Sequence, residues 1–212
     1  MKKFLFSAAI LALALSAFAA DHKSGLTPEQ AAAKYTAVIG QRSQKIVDAL
    51  GLTDTNTAAK VHGLIMDQYR ALNDWHNAND PKIKAAKGDQ AAIAKIRASL
   101  KNLHDEYLAN LARYLSSAQV EMVKDKMTYG KVEFTFKGYC VQYSNLSDAN
   151  KQAILKMLKE AREEAMDGGS AKEKTAIFQR YKGRINNYLS RQGLHPQKAK
   201  AAPGAAAAHS TN

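Results

Sequence analysis

Between Ile93 and Tyr114 the apolar residues Ile93, Ile96, Leu100, Leu103, Tyr107, Leu111 and Tyr114 recur at steps of three and four. That spacing puts them on one face of a helix turning every 3.6 residues. The same period runs from Thr27 to Leu50, which Gly51 closes, from Thr53 to about Trp75, and from Ser116 to Met127. It returns in Ser147–Asp167 and Ser170–Arg191, two segments that read as a helical hairpin around Gly168-Gly169. A different period appears over residues 131–143. There Val132, Phe134 and Phe136 alternate with Glu133, Thr135 and Lys137, the two-residue pattern of a half-buried strand. Without a convincing strand partner elsewhere in the chain, this piece reads as an extended strap across helices or as a strand pairing with another chain.

The helix starts carry a shared device. Leu26-Thr27-Pro28-Glu29-Gln30, Leu52-Thr53-Asp54-Thr55-Asn56, Leu115-Ser116-Ser117-Ala118-Gln119 and Leu146-Ser147-Asp148-Ala149-Asn150 each place a hydroxyl after Leu and a side-chain amide three residues beyond the hydroxyl. A Ser or Thr cap accepts from the backbone N–H three residues on, and the amide reaches back to the cap. Ser170 and Glu173 form a fifth such pair. Asp80-Pro81 reads as a sixth start, with proline at the first helical position, so the polar stretch Asn73–Asp80 is expected to end the preceding helix. The predicted fold is all-α: an irregular bundle of five to seven helices with one extended strap and a C-terminal helical hairpin.

The ends differ from the middle. Lys2 and Lys3 precede an apolar run from Phe4 to Leu15, followed by Ala17-Phe18-Ala19, the composition of an export signal cleaved near Ala19 or Ala20. The run is too short to cross a bilayer, which takes about 20 residues. Residues 1–20 are therefore read as a signal peptide, 21–193 as a single helical domain, and the Ala-, Lys- and Pro-rich residues 194–212 as a disordered tail. The expected location is the periplasm or the exterior, and the chain is not expected to be an integral membrane protein. Loss of the leader removes two lysines, leaving 29 basic residues against 19 acidic ones, a formal +10. Such an excess favours an anionic partner, either an acidic glycan or an acidic protein surface; export argues against nucleic acid.

Two resemblances follow from these motifs. Met127-Thr128-Tyr129-Gly130, Ala161-Arg162-Glu163-Glu164-Ala165-Met166-Asp167, Tyr181-Lys182-Gly183-Arg184-Ile185-Asn186-Asn187-Tyr188-Leu189-Ser190 and Gln192-Gly193 resemble the domain of unknown function 3826 family. That resemblance implies an exported bacterial protein without an assigned activity, in a setting of polysaccharide utilisation. The Leu-Ser/Thr-x-x-Gln starts over residues 52–126 are similar to the periplasmic LTxxQ proteins, which include small helical stress chaperones.

Candidate chemistry narrows little further. No metal or other cofactor is expected. His62 and His76 lie fourteen positions apart, roughly 21 Å along a helix, and neither His-x-x-x-His nor Cys-x-x-Cys is present. The Asn73–Asp80 run lacks the glycine and terminal glutamate of a calcium loop. No Gly-x-Ser-x-Gly elbow occurs, and the single Cys140 reads as a small buried hydrophobe. Glu160, Glu163, Glu164 and Asp167 gather on one flank of their helix. They are acid and base candidates for glycoside cleavage or, more commonly, a salt-bridged face. On the last helix, Arg180, Arg184, Asn187 and Arg191 form a stripe beside Tyr181 and Tyr188. Packed toward the acidic flank, the stripe becomes a seam; packed away, it becomes an open basic site for a polyanion, gripped through guanidiniums. The ligand-binding candidates are thus Arg180, Tyr181, Arg184, Asn187, Tyr188 and Arg191, with no catalytic or metal residue assigned. The preferred function is non-catalytic binding of an acidic ligand such as a uronate-containing polysaccharide. The alternatives are an LTxxQ-like chaperone or stress-adaptor and a polysaccharide-active enzyme.

Overall fold

Thr27, Ser116, Ser147 and Ser170 each accept from the backbone N–H three residues on, satisfying donors that the first turn of a helix leaves without partners. At Thr27 and Ser116 the glutamine reaches back to the cap, completing the reciprocal box. At Ser170 the returning carboxylate of Glu173 takes the N–H of Gly169 instead. The second start lies one residue later than expected, because Asp54 rather than Thr53 accepts from Asn56 and Thr57.

The computed structural model describes residues 25–197; the expected leader and the tail beyond Gln197 lie outside them. Seven helices follow in order: α1 (Pro28–Ala49), α2 (Thr55–Ala85), α3 (Gln90–Ala112), α4 (Ser117–Met127), α5 (Lys131–Gln142), α6 (Asp148–Met166) and α7 (Ala171–Arg191). The fold is all-α, and no strand occurs among the described residues. No described helix is long and apolar enough to cross a membrane.

The chain separates into two compact units, one through Lys126 and the other from Met127. In the first, α2 packs against α1 and α3. Its buried side chains include Ile39, Ile46, Val61, Ile65, Leu111 and Val123, each stabilising the fold by roughly 1.5–3 kcal/mol through burial. In the second unit, α6 packs against both α5 and α7. The core there joins Val132 and Tyr139 of α5, Ile154, Leu158, Ala161 and Ala165 of α6, and Ile177, Phe178, Ile185 and Leu189 of α7. Leu194 packs on this core, and the Gln197 N–H donates to the Gln142 carbonyl at 2.9 Å.

Two sequence expectations are corrected. The strap at 131–143 is helix α5. Its short alternation is overridden by a longer one, because Val132, Thr135, Tyr139 and Tyr143 are buried and Phe136 and Cys140 are half-buried, a three-and-four spacing that matches a helix. Phe134, which a strand would have buried with Val132, is 77% exposed. Tyr129 and Gly130 enter the helix at φ of 61° and 62°, a left-handed pair for which glycine is the low-cost residue. The second correction concerns Asp80-Pro81, which starts nothing: α2 runs through Pro81 to Ala85. Proline deprives the Asn77 carbonyl of its helical donor, but Asn77 is exposed, where water can serve it. Side-chain bonds hold the turn, His76 Nδ1 to Asp80 at 3.0 Å and Asn79 Nδ2 to the Trp75 carbonyl at 2.9 Å. The polar run is therefore a stretch of helix, with His76 buried in it, and neither a helix end nor a loop. The next helix starts at Asp89, which accepts from Ala91 and Ala92.

Candidate binding groove

Helix α7 has three distinct flanks. One, formed by Ile177, Phe178, Tyr181, Ile185 and Leu189, is buried. The second carries the arginines and turns to α6. Arg180 forms an ion pair with Glu164, and Arg184 lies 3.6 Å from Glu160. Tyr181 is 9% exposed and sits between them, with the Arg184 guanidinium 4.5 Å and the Arg180 guanidinium 5.9 Å from its ring centroid, within cation–π range. Of the two arrangements open at the sequence level, these two arginines adopt the seam. The Tyr188 hydroxyl donates to Asn150 Oδ1 at 2.9 Å, another bond to α6, while Asn187 and Arg191 are exposed. The six candidates share a helix edge, and none of them lines the groove between α5 and α7.

The acidic flank of α6 is likewise engaged. Glu163 lies 3.0 Å from the buried Arg162, and Glu160 and Glu164 meet α7 as above. The remaining sequence candidates are placed as follows. Cys140 is half-buried against the second-unit core. His62 Nε2 lies 3.3 Å from the Gly40 carbonyl.

The third flank of α7, with Gln179, Lys182, Gly183 and Asn186 at steps of three, one and three, faces α5 across an open groove of about 1210 Å³. The opposing wall comprises Phe134, Lys137, Gly138 and Val141 of α5, and Gln142 and Gln197 close one end. Phe134 and Val141 are 77% and 80% exposed, so neither belongs to the core. Gly138 and Gly183 sit inside helices on opposite walls, and a Cβ added at either would meet no atom within 4 Å. Mid-helix glycine costs roughly 0.8–1.0 kcal/mol relative to alanine, and packing here does not require it.

Tyr139 ties the walls together. Its hydroxyl donates to Asn186 Oδ1 at 2.8 Å and lies 3.2 Å from the Lys182 carbonyl. With its oxygen occupied, the Asn186 amide keeps its NH₂ as a donor toward the groove. Burial, with a smaller contribution from Tyr143, pushes the phenol up to about 12, so it remains a donor through neutral pH. Lys137 pairs with Glu133 on its own helix, and both are exposed, a weak tie. The groove thus combines an exposed aromatic ring, amide side chains and two lysines. No group of three metal-ligating side chains occurs among the described residues.

Sequence reading missed this site for one reason: the strand-like alternation hid the α5 wall. The signal was nonetheless present, in two mid-helix glycines and in the polar Gln179, Lys182 and Asn186 opposite the arginine stripe. No curated protein matches the chain. The family model described as "Protein of unknown function (DUF3826)" matches residues 36–202, most of the chain, including both helices that wall the groove. The chain belongs to the DUF3826 family.

Proposed function

We propose that the chain is a non-catalytic binding protein for an acidic glycan, held between α5 and α7. The carrying observation is that Gly138 and Gly183 oppose one another across the groove where packing asks for neither. Bare helix backbone on both walls lets a flat ring approach closely. The exposed Phe134 supplies a stacking face, while Gln142, Gln179 and Asn186 match hydroxyl groups in kind. Lys182 and Lys137 supply positive charge for carboxylates. Of the four acid and base candidates on α6, the three glutamates Glu160, Glu163 and Glu164 each face an arginine, which favours binding over cleavage.

Affinity electrophoresis through gels containing polygalacturonate or neutral dextran tests the reading. The chain is expected to be retarded by the acidic polymer alone. Gly183→Leu fills the groove and should abolish retardation while the thermal midpoint holds or rises. Lys182→Ala should weaken binding about tenfold, the worth of one charge-assisted hydrogen bond. Equal retardation of Gly183→Leu and the parent refutes the groove. Retardation lost through Arg191→Ala instead moves the site to the exposed end of the arginine stripe.

The nearly full exposure of Phe134 and Val141 favours a second reading, in which an amphipathic client segment lies in the same groove and the chain acts as a chaperone. That reading requires stoichiometric suppression of an unfolded client's aggregation, lost on Phe134→Ser. A lack of suppression by the parent chain rejects it.

A further inference from the structure

Burial along α2 stops at His76 and resumes in α3 only at Tyr107, with no buried residue from Asn77 to Glu106. The Trp75 indole N–H donates to Ser99 Oγ at 2.9 Å and marks the base of this segment. Beyond it the half-buried apolar residues are Ile83, Ala86, Ala92, Ile93 and Ile96, the seam of a two-helix arm. Lys87 and Gly88 turn the chain at its tip with φ of 47° and 91°. Lys82, Lys84, Lys87, Lys95 and Arg97 are all exposed and lie within about 11 Å of the turn along the helix axes. Among the described residues none of the five pairs with a carboxylate. The two acids nearest the tip are committed elsewhere, Asp80 to His76 and Asp89 to the N-terminal amides of α3.

We propose that this arm tip is an electrostatic docking surface for anionic lipid headgroups. Five cations against two carboxylates, Asp80 and Asp89, leave a net +3 on residues 77–98 at one end of a helical hairpin, and a sheet of negative charge offsets the repulsion among them. The chemistry selects a diffuse surface over a shaped ligand. Four of the five are lysines, compact hydrated point charges rather than bidentate forks. Residues 77–106 carry no Phe, Tyr or Trp on which a sugar face could stack, and no large apolar side chain of the arm is exposed for insertion. Adsorption is therefore by charge, at the depth of the headgroups.

Co-sedimentation of the full chain with vesicles provides the test, comparing equimolar phosphatidylglycerol and phosphatidylcholine with phosphatidylcholine alone. Insertion of the apolar Phe4–Leu15 run would carry the chain to both vesicle types alike, so the difference between them reads the arm. Binding to the anionic vesicles at low salt is expected, with loss at high salt. The triple variant K84Q/K87Q/K95Q should lower that partition on the order of a hundredfold, about fivefold for each charge removed, and K84E/K87E/K95E should lower it further, with helicity by circular dichroism unchanged. Gly183→Leu should leave it intact, which separates this surface from the groove. Parent binding that ignores lipid charge, or variant binding equal to the parent's, overturns the proposal. Retention on polygalacturonate but not on vesicles, through the same lysines, reassigns the tip to a polysaccharide and rejects the lipid.

Discussion

The Tyr139 hydroxyl of α5 donates to Asn186 Oδ1 of α7 at 2.8 Å, joining two helices that α6 otherwise holds. The bond does two things: it links the groove walls, and it orients the amide. Removing the hydroxyl in Tyr139→Phe should cost about 1 kcal/mol, read as a lower urea midpoint with unchanged slope. If the groove binds glycan, affinity for polygalacturonate should fall as well, because the Asn186 amide is freed to rotate. Unchanged stability would show that the bond is not formed in solution.

Alkaline pH should weaken the fold. Burial raises the Tyr139 phenol to about 12 from an ordinary value near 10, and it raises Tyr107 in the first unit in the same direction. The folded chain then keeps phenolic protons that the unfolded chain releases. Stability is fully present below pH 10 and falls as pH rises through the interval above it. Thermal midpoints recorded with tyrosinate absorbance should drop together across that range, and less steeply in Tyr139→Phe. A flat midpoint with early ionisation would contradict the burial of both rings.

The Arg180–Glu164 pair is half-exposed, with side chains 55% and 42% accessible. Its coupling in a double-mutant cycle is expected to be only about 0.2–1 kcal/mol, shrinking with added salt. Arg184→Ala should cost a similar amount through the lost Tyr181 contact. A coupling well above that range would mean that the seam is far less hydrated than it stands here.

Lys174 is buried, and its ammonium donates to the Ala165 and Met166 carbonyls at 2.9 and 3.0 Å. It thereby caps the C-terminal end of α6, where carbonyls lack helical partners. Lys174→Met keeps the stem but removes the side-chain donor to both carbonyls, leaving Ala165 with its bond from the Gly168 N–H at 3.2 Å, and about 1–2 kcal/mol of stability should be lost. Chemical denaturation would measure this; a neutral effect would mean that water serves the carbonyls equally well.

Part of the groove was visible from residue patterns alone, and part required the fold. The α7 wall could be drawn on a helical wheel, since Gln179, Lys182, Gly183 and Asn186 fall on one flank. The α5 wall could not. Val132, Phe134 and Phe136 suit a strand over five residues, whereas Val132, Phe136, Tyr139 and Cys140 suit a helix over twelve. The longer pattern prevails because burying it against α6 outweighs local preference. Pro81 misled in the same way, since a proline near a helix end looks like a start until the helix is seen passing through it.

What the amino-acid order determined by itself was local. Thr27, Ser116, Ser147 and Ser170 cap their helices through bonds spanning three residues, and apolar spacing marks the buried face of α7, so these four helix starts and the all-α class followed without coordinates. The tertiary structure alone decided which flank of α7 meets α6. A helix carries its arginine and amide flanks on either side of one apolar face, and its period is indifferent to the side from which a neighbour arrives. Only packing around α6 turned Arg180 and Arg184 to carboxylates and left Gly183 and Asn186 open toward α5.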